Sequence, residues 1–330
     1  MAAKRVVRHR IWDLATTMIL IAILTTVRSS LFPFGDELVP NTATPLGDLL
    51  QGLQASFPVL SVVLWGFMLF IAALDAGRYG PKYALYPAYT LMAIPIFGVL
   101  AGGVMVSGDY LLTTVAMFTM LLATKYMIRC VQHTDSFSDL SLSMLCYGLL
   151  PLVLAPSALL YVVLPLLLFV VRSSWRDWVV AISSLIFPLL SVSYWSWCAG
   201  EGFLSVGEQL YASTFTPSEF SFFSTLNIAS ILVIGVLIVK FFCAIMLIVS
   251  DKYSLRVKSR SLMRYNALLL VATIAMFFLP SASASLFALV AVPASLLIPL
   301  IFVRMGVGFT EMLYRLMLLA AAANMVLMAI

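Results

Sequence analysis

Long apolar runs separated by short polar segments set the plan of this chain. The runs at 11–27, 56–74, 83–106, 110–128, 178–198, 225–249 and 310–330 each have about the length of one membrane-crossing helix. Two further runs are too long. Residues 140–171 carry no formal charge, are interrupted at Ala155-Pro156-Ser157, and close on Arg172 and a Trp175-Arg176-Asp177-Trp178 element. One straight helix there would measure about 48 Å against a hydrocarbon core of about 30 Å, whereas two arms of about 22 Å each fall short of a full crossing. Residues 267–303 repeat the pattern, with a break at 279–285 and Arg304 at the end.

Charge decides between these options. As a single span, 140–171 would leave Arg172, Arg176, Lys252, Arg256, Lys258, Arg260 and Arg264 on the outer side, against the tendency of basic loops to stay cytoplasmic. As a hairpin it returns the chain to the inner side. The second long run then reads as another hairpin, and of the 19 Lys and Arg only Arg28 and Lys240 fall away from the inner face. The expected architecture is all-α: a polytopic helical membrane bundle of about eleven helical elements in a single domain over 1–330, with a cytoplasmic N-terminus and two short hairpins broken by Pro and Ser. The loops at 28–55 and 199–224 lie outside, and the basic loop at 250–264 lies inside. The hairpin arms are a weak internal repeat. The apex at Pro156 and Ser157 must be packed in protein or line a wet cavity, and it is expected to border a cavity open to the outer face, with the 280–285 apex beside it.

Composition agrees. With 63% hydrophobic and 10% charged residues and a mean hydropathy of +1.08, the chain has too little polar surface to cover a soluble core. The net charge of +5 is therefore a topology signal, and nucleic acid is not an expected partner. The basic start followed by 11–27 reads as a retained first span, because no small-residue cleavage site follows it. Cys130, Cys146, Cys198 and Cys243 show no CxxC spacing and read as small apolar residues. His9 and His133 have no second metal-type ligand nearby, and phosphate-loop, GxSxG and HExxH motifs are absent. No cofactor is read from the sequence, and the involvement of a divalent metal is left open.

Candidate chemistry concentrates in the first outer loop. Arg28 stands at the outer end of the first span, followed by Asp36 and Glu37. Thr44-Pro45-Leu46-Gly47-Asp48 then reads as an N-cap, a first-turn proline and a first-turn acid. Leu46, Leu49, Leu50 and Leu53 recur at helical spacing, which predicts an amphipathic helix on the outer membrane surface. Asp36, Glu37 and Asp48 are the candidate catalytic acids, and Arg28 can hold a phosphate bidentately. The competing reading is a solvated acidic loop with a surface helix. Lys240 lies roughly 13 Å from the inner end of its span by helical rise, where it either faces a buried partner or a substrate, or extends its stem toward the headgroups. Arg28, Lys240, Pro156 and Ser157 form the candidate substrate-binding set. The tryptophans at 175, 178, 195 and 197 fit an interfacial aromatic belt, and Pro95, Pro165, Pro188, Pro293 and Pro299 predict kinks.

The block Met144-Leu-Cys-Tyr147-Gly148 through Ala155-Pro156-Ser157, then Arg172, Trp175-Arg176-Asp177-Trp178 and Pro188, resembles the central part of a functionally uncharacterised family of polytopic bacterial inner-membrane proteins. The resemblance extends over about residues 140–190 and implies a membrane fold and address, with no catalytic residues to carry over. Three functions stay open. One is a membrane glycosyltransferase-like enzyme of envelope biogenesis acting on a lipid-linked, polyprenyl-phosphate glycan at the outer face. The second is a non-enzymatic subunit or scaffold that holds other membrane proteins, and the third is a transporter or flippase.

Overall fold

The computed structural model describes residues 16, 17, 19, 44–86, 90–104, 108–132, 136–171, 174–218, 228–250 and 257–329. Regular structure in these residues is helical, and six stretches are long and apolar enough to cross a membrane: Pro58–Lys82, Tyr110–Gln132, Trp175–Cys198, Ile228–Ile248, Val257–Phe278 and Leu286–Arg304. Helices satisfy every interior backbone group within one segment, which is what hydrocarbon demands. In chain order the helices are α1 (Pro45–Ser56), α2 (Pro58–Lys82), α3 (Ala93–Gly102), α4 (Tyr110–Gln132), α5 (Phe137–Val153), α6 (Leu159–Val171), α7 (Trp175–Cys198), α8 (Ser205–Phe215), α9 (Ile228–Ser250), α10 (Val257–Ala275), α11 (Leu286–Leu297), α12 (Pro299–Arg304) and α13 (Val307–Ala329), with 3-10 turns at Ala155–Ala158 and Met276–Phe278.

The run 140–171 is a hairpin. A continuous helix would set Gly148 and Tyr161 about 20 Å apart along its axis. Instead the Tyr161 hydroxyl donates to the Gly148 carbonyl at 2.8 Å. The far ends of the arms are each tied to a neighbouring helix: Arg129 at the end of α4 pairs with Asp139 at the start of α5 at 3.5 Å, and Ser261 near the start of α10 donates to Val170 O at the end of α6. Lys258 donates to Gln132 O at 2.7 Å, joining α10 to the same end. The second run doubles back in the same way, since Thr113 near the start of α4 reaches Ser285, whereas Tyr86, beyond the end of α2, donates to Leu296 O. One end of the bundle thus gathers the basic termini of α2, α4, α7 and α10. The other end is covered by α1 and α8.

Three expectations need correction. Among the described residues, the span expected at 83–106 is helical over α3 alone, whose ten residues are all buried. Ahead of it the backbone is held irregular by side chains from distant elements. Gln132 Nε2 donates to Tyr83 O at 2.6 Å, Ser259 Oγ to Ala84 O at 3.2 Å, and Ala84 sits at φ 47°. Such backbone survives at membrane depth only when protein encloses it. The loop expected after residue 74 is instead the last two turns of α2, which ends at Lys82 in a left-handed cap, with Ala84 at positive φ and Leu85 N reaching back to Gly80 O at 3.0 Å. The basic loop likewise gives way at Val257 to α10, so Lys258, Arg260 and Arg264 are helical residues.

The centre is built on α3 and α11, which pack on each other and are buried on every side. A helix apolar all round has no solvent face and takes the middle of the bundle. The pair α9 and α13 packs to one side and is fastened to α3 by polar groups. Asn324 Nδ2 donates to Gly103 O and Val104 O at 2.8 and 3.0 Å, satisfying carbonyls that the end of α3 leaves open. Ser230 Oγ lies 2.9 Å from Val104 O and 2.7 Å from Asn324 Oδ1, its single proton serving one at a time. Asn324→Leu strands the Gly103 carbonyl in an apolar site at about 1–3 kcal/mol, while Ser230 turns its proton to Val104 O. The expected result is a marked fall in the thermal melting temperature of the purified protein, and an unchanged melt would show that the network is not holding α13.

Candidate functional site

The covered end is where the elements singled out in the sequence meet. Thr44 caps α1 as its spacing predicts: its Oγ1 accepts from Gly47 N at 3.1 Å and donates to Val153 O, the last residue of α5, at 3.1 Å. Gly47 permits this approach, because a Cβ there would stand 2.2 Å from Thr44 Oγ1 and 3.1 Å from Val153 O. The leucine stripe of α1 is divided between two surroundings. Leu46 and Leu50 pack on the core, while Leu49 and Leu53 stay 65% and 53% exposed. Docking falls instead to glutamines: Gln54 accepts from Leu111 N at 3.1 Å and donates to Gly108 O at 2.7 Å, and Gln51 donates to Asp109 Oδ1 at 3.3 Å. Gln54 therefore caps the first turn of α4, and α1 lies with two leucines directed away from the protein.

At the first apex, Leu154 takes an extended backbone and Ser157 Oγ donates to its carbonyl at 2.7 Å. Pro156 and Ser157 are both buried. The expected opening to the outer side is filled by α8, an unexpected helix within the second loop. Thr214 of α8 sets its Oγ1 3.3 Å from Ala155 O and 2.7 Å from Leu210 O. Val206, Leu210, Ser213 and Thr214 form the buried side of α8, a helical spacing that was present in the sequence but is too weakly apolar to stand out beside the spans. Four residues after Thr214, Ser218 N donates to Pro280 O at 2.9 Å, and Ser218 Oγ donates to Ala282 O. The two apices touch, as their parallel patterns suggested. Hydroxyls of Thr44 and Ser218 thus satisfy carbonyls that the broken helices cannot satisfy themselves, and Thr214 shares its proton between Ala155 O and the carbonyl of its own helix.

Beneath Ser218 the segment 280–285 holds three buried serines. Ser285 Oγ takes the Thr113 hydroxyl at 2.9 Å. Ser281 and Ser283 are enclosed, and among the described residues neither hydroxyl has a hydrogen-bond partner.

Asp48 stands in the first turn of α1 on its exposed side, where partial desolvation pushes its carboxyl above the ordinary carboxylate value. Arg28, Asp36 and Glu37 lie outside the described residues. Lys240 is not part of this end. It lies ten residues beyond Ser230 on α9, about 15 Å along the axis. Its side chain is fully buried and does not extend to the headgroups: Nζ is 3.1 Å from Met317 Sδ and 5.6 Å from the centre of the Phe302 ring. None of the four cysteines is in a disulfide, and among the described residues no three His, Cys, Asp or Glu side chains converge as metal ligands would.

Fold and site together define a multi-pass α-helical membrane protein with two hairpins whose apices are roofed by surface helices. No family model, curated protein or solved structure matches the chain.

Proposed function

We propose that this protein acts on a lipid-linked glycan at the roofed end of the bundle, as a glycosyltransferase-like enzyme of the bacterial inner membrane, and that it belongs to the uncharacterised family its central block resembles. The observation that carries the reading is the placing of Asp48 on a surface helix beside two exposed leucines, at the end of the first hairpin's leading arm. An acid at the boundary between hydrocarbon and water meets the junction where a polyprenyl chain gives way to its phosphate and sugar. A carboxyl raised by desolvation is closer to the range in which it can exchange a proton with a sugar hydroxyl or a leaving group. Asp36, Glu37 and Arg28, on the same loop in sequence, supply further acids and a phosphate ligand.

The test is alanine at Asp36, Glu37 and Asp48, singly and together, with lipid-linked intermediates and envelope glycans as the readout. The expected result is a loss of about 100-fold or more in turnover for at least one position, with normal yield and melting temperature. Unchanged glycans in the triple variant would remove the enzymatic reading. A scaffold would tolerate all three substitutions and co-purify with a stable partner.

A further inference from the structure

We infer that the two hairpin apices enclose a binding recess for an uncharged, hydroxyl-rich headgroup, and that α8 with Ser218 is the lid that closes it. The inference rests on the reading of a glycan substrate and assigns the place where the sugar is held.

Two observations meet here. The first is the pair of enclosed hydroxyls of Ser281 and Ser283, without hydrogen-bond partners among the described residues, alongside the Ser285–Thr113 pair. A hydroxyl both donates and accepts, so a row of them matches a ligand that is itself a row of hydroxyls. Burying two unsatisfied hydroxyls disfavours the folded state unless a polar occupant completes them. Among the described residues, Asp48, Asp109 and Glu201 bring acidic side chains to this end. They disfavour an anion in the recess, whereas a neutral sugar gains hydrogen bonds without a countercharge.

The second observation is the way the roof is fastened. The second apex is tied to the irregular segment after α8 by Ser218, and the first apex to α8 itself by Thr214. At the other end of α8, Gly200 takes φ +97°, a left-handed conformation that favours glycine, next to Gly202. Tyr211 and Phe215 on the outward side of α8, and Leu204 just ahead of it, are exposed apolar residues. One short helix, fastened by a few hydrogen bonds and bounded by a glycine turn, can lift without disturbing the spans.

The experiment uses the full chain in lipid nanodiscs, with exposed Cys198 changed to Ser, and follows maleimide labelling of Ser283→Cys. Labelling is expected to be slow with the lid intact. Adding Thr214→Val and Ser218→Ala removes two fastenings and should speed labelling by about tenfold. Octyl glucoside should then slow it by about fivefold, while octyl phosphate, with the same chain and a charged head, should not. Ser281→Cys serves as the second reporter if Ser283→Cys fails to fold. Labelling that ignores the lid substitutions overturns the lid. Protection by neither amphiphile reduces the recess to a water site, and protection by octyl phosphate makes it an anion site, each overturning the proposed ligand. These readouts do not depend on turnover. Protection by octyl glucoside together with unchanged glycans in the acidic-loop variants would leave the recess standing and remove the enzyme.

Discussion

Gly148→Ala is expected to abolish the native packing of α5 on α7. A Cβ at this position would stand 2.2 Å from Leu185 O and 3.0 Å from Leu185 C, and both are backbone atoms that no rotamer change can move. Pro188 closes the third side, with its Cδ 3.2 Å from the same point. The two helices meet at this glycine because small residues let backbones approach, and in lipid that approach supplies the dispersion contacts that the hydrophobic effect would supply in water. Ser141 and Ser184 bridge the same helix pair at 2.8 Å, and the Gly148 carbonyl also holds Tyr161 of the returning arm. One methyl group therefore strains the α5–α7 contact and the hairpin together, at a cost of about 3 kcal/mol or more. The measurement is fluorescence-detected size exclusion with a thermal melt, and the expected profile is low yield, aggregation and an early transition. Gly52→Ala on α1 is the control: a Cβ there meets nothing within 4 Å, and the substitution should be neutral or slightly stabilising. A Gly148→Ala protein that melts with the wild type would mean that the contact is looser than drawn.

The hairpins were legible in the sequence for a physical reason. Each apolar run was too long for one crossing and was broken at Pro and Ser, and the Arg after it fixed the side to which it returned. The end of α3 and the irregular stretch before it were not legible. Hydropathy reports only that residues 83–106 avoid water, and the groups that hold the chain irregular, from Gln132, Ser259 and the Leu296 carbonyl, are far away in sequence. The cap on α1 was readable because Thr44, Pro45 and Gly47 act locally. Its docking face was not, since Gln51 and Gln54 look like solvent residues until α4 supplies partners for them. At the candidate site, Pro156 and Ser157 were found from the break they make. Thr214, Ser218, Ser281 and Ser283 were missed, because a Ser or Thr in a polar loop or an apex gives no signal until the opposing carbonyl, or its absence, is known.

Lys240→Met is expected to give a protein more stable than the wild type. The lysine is fully enclosed by α9, α12 and α13, and among the described residues no carboxylate pairs with it. Its amine has several donor hydrogens, and the partners in reach are a thioether sulfur, which is a weak acceptor, and the face of Phe302, itself packed edge-on to Tyr314 at 6.2 Å. Holding such a group away from water costs more than those contacts return. Methionine nearly matches the side chain in length and flexibility, keeps the packing against Met317 and Phe302, and removes the polar group. The expected gain is about 1–3 kcal/mol, seen as a higher melting temperature in detergent. Lys240→Ala should lose stability instead, because it leaves a cavity among the same three helices. The two variants separate packing from polarity. If methionine stabilises the protein but impairs its activity in cells, the lysine is retained for function at a cost in stability, and a site distinct from the roofed end works in the middle of the bundle. A methionine variant that melts below the wild type would show that the sulfur and ring contacts outweigh the burial of the amine, which makes Lys240 a fastening between α9 and α13.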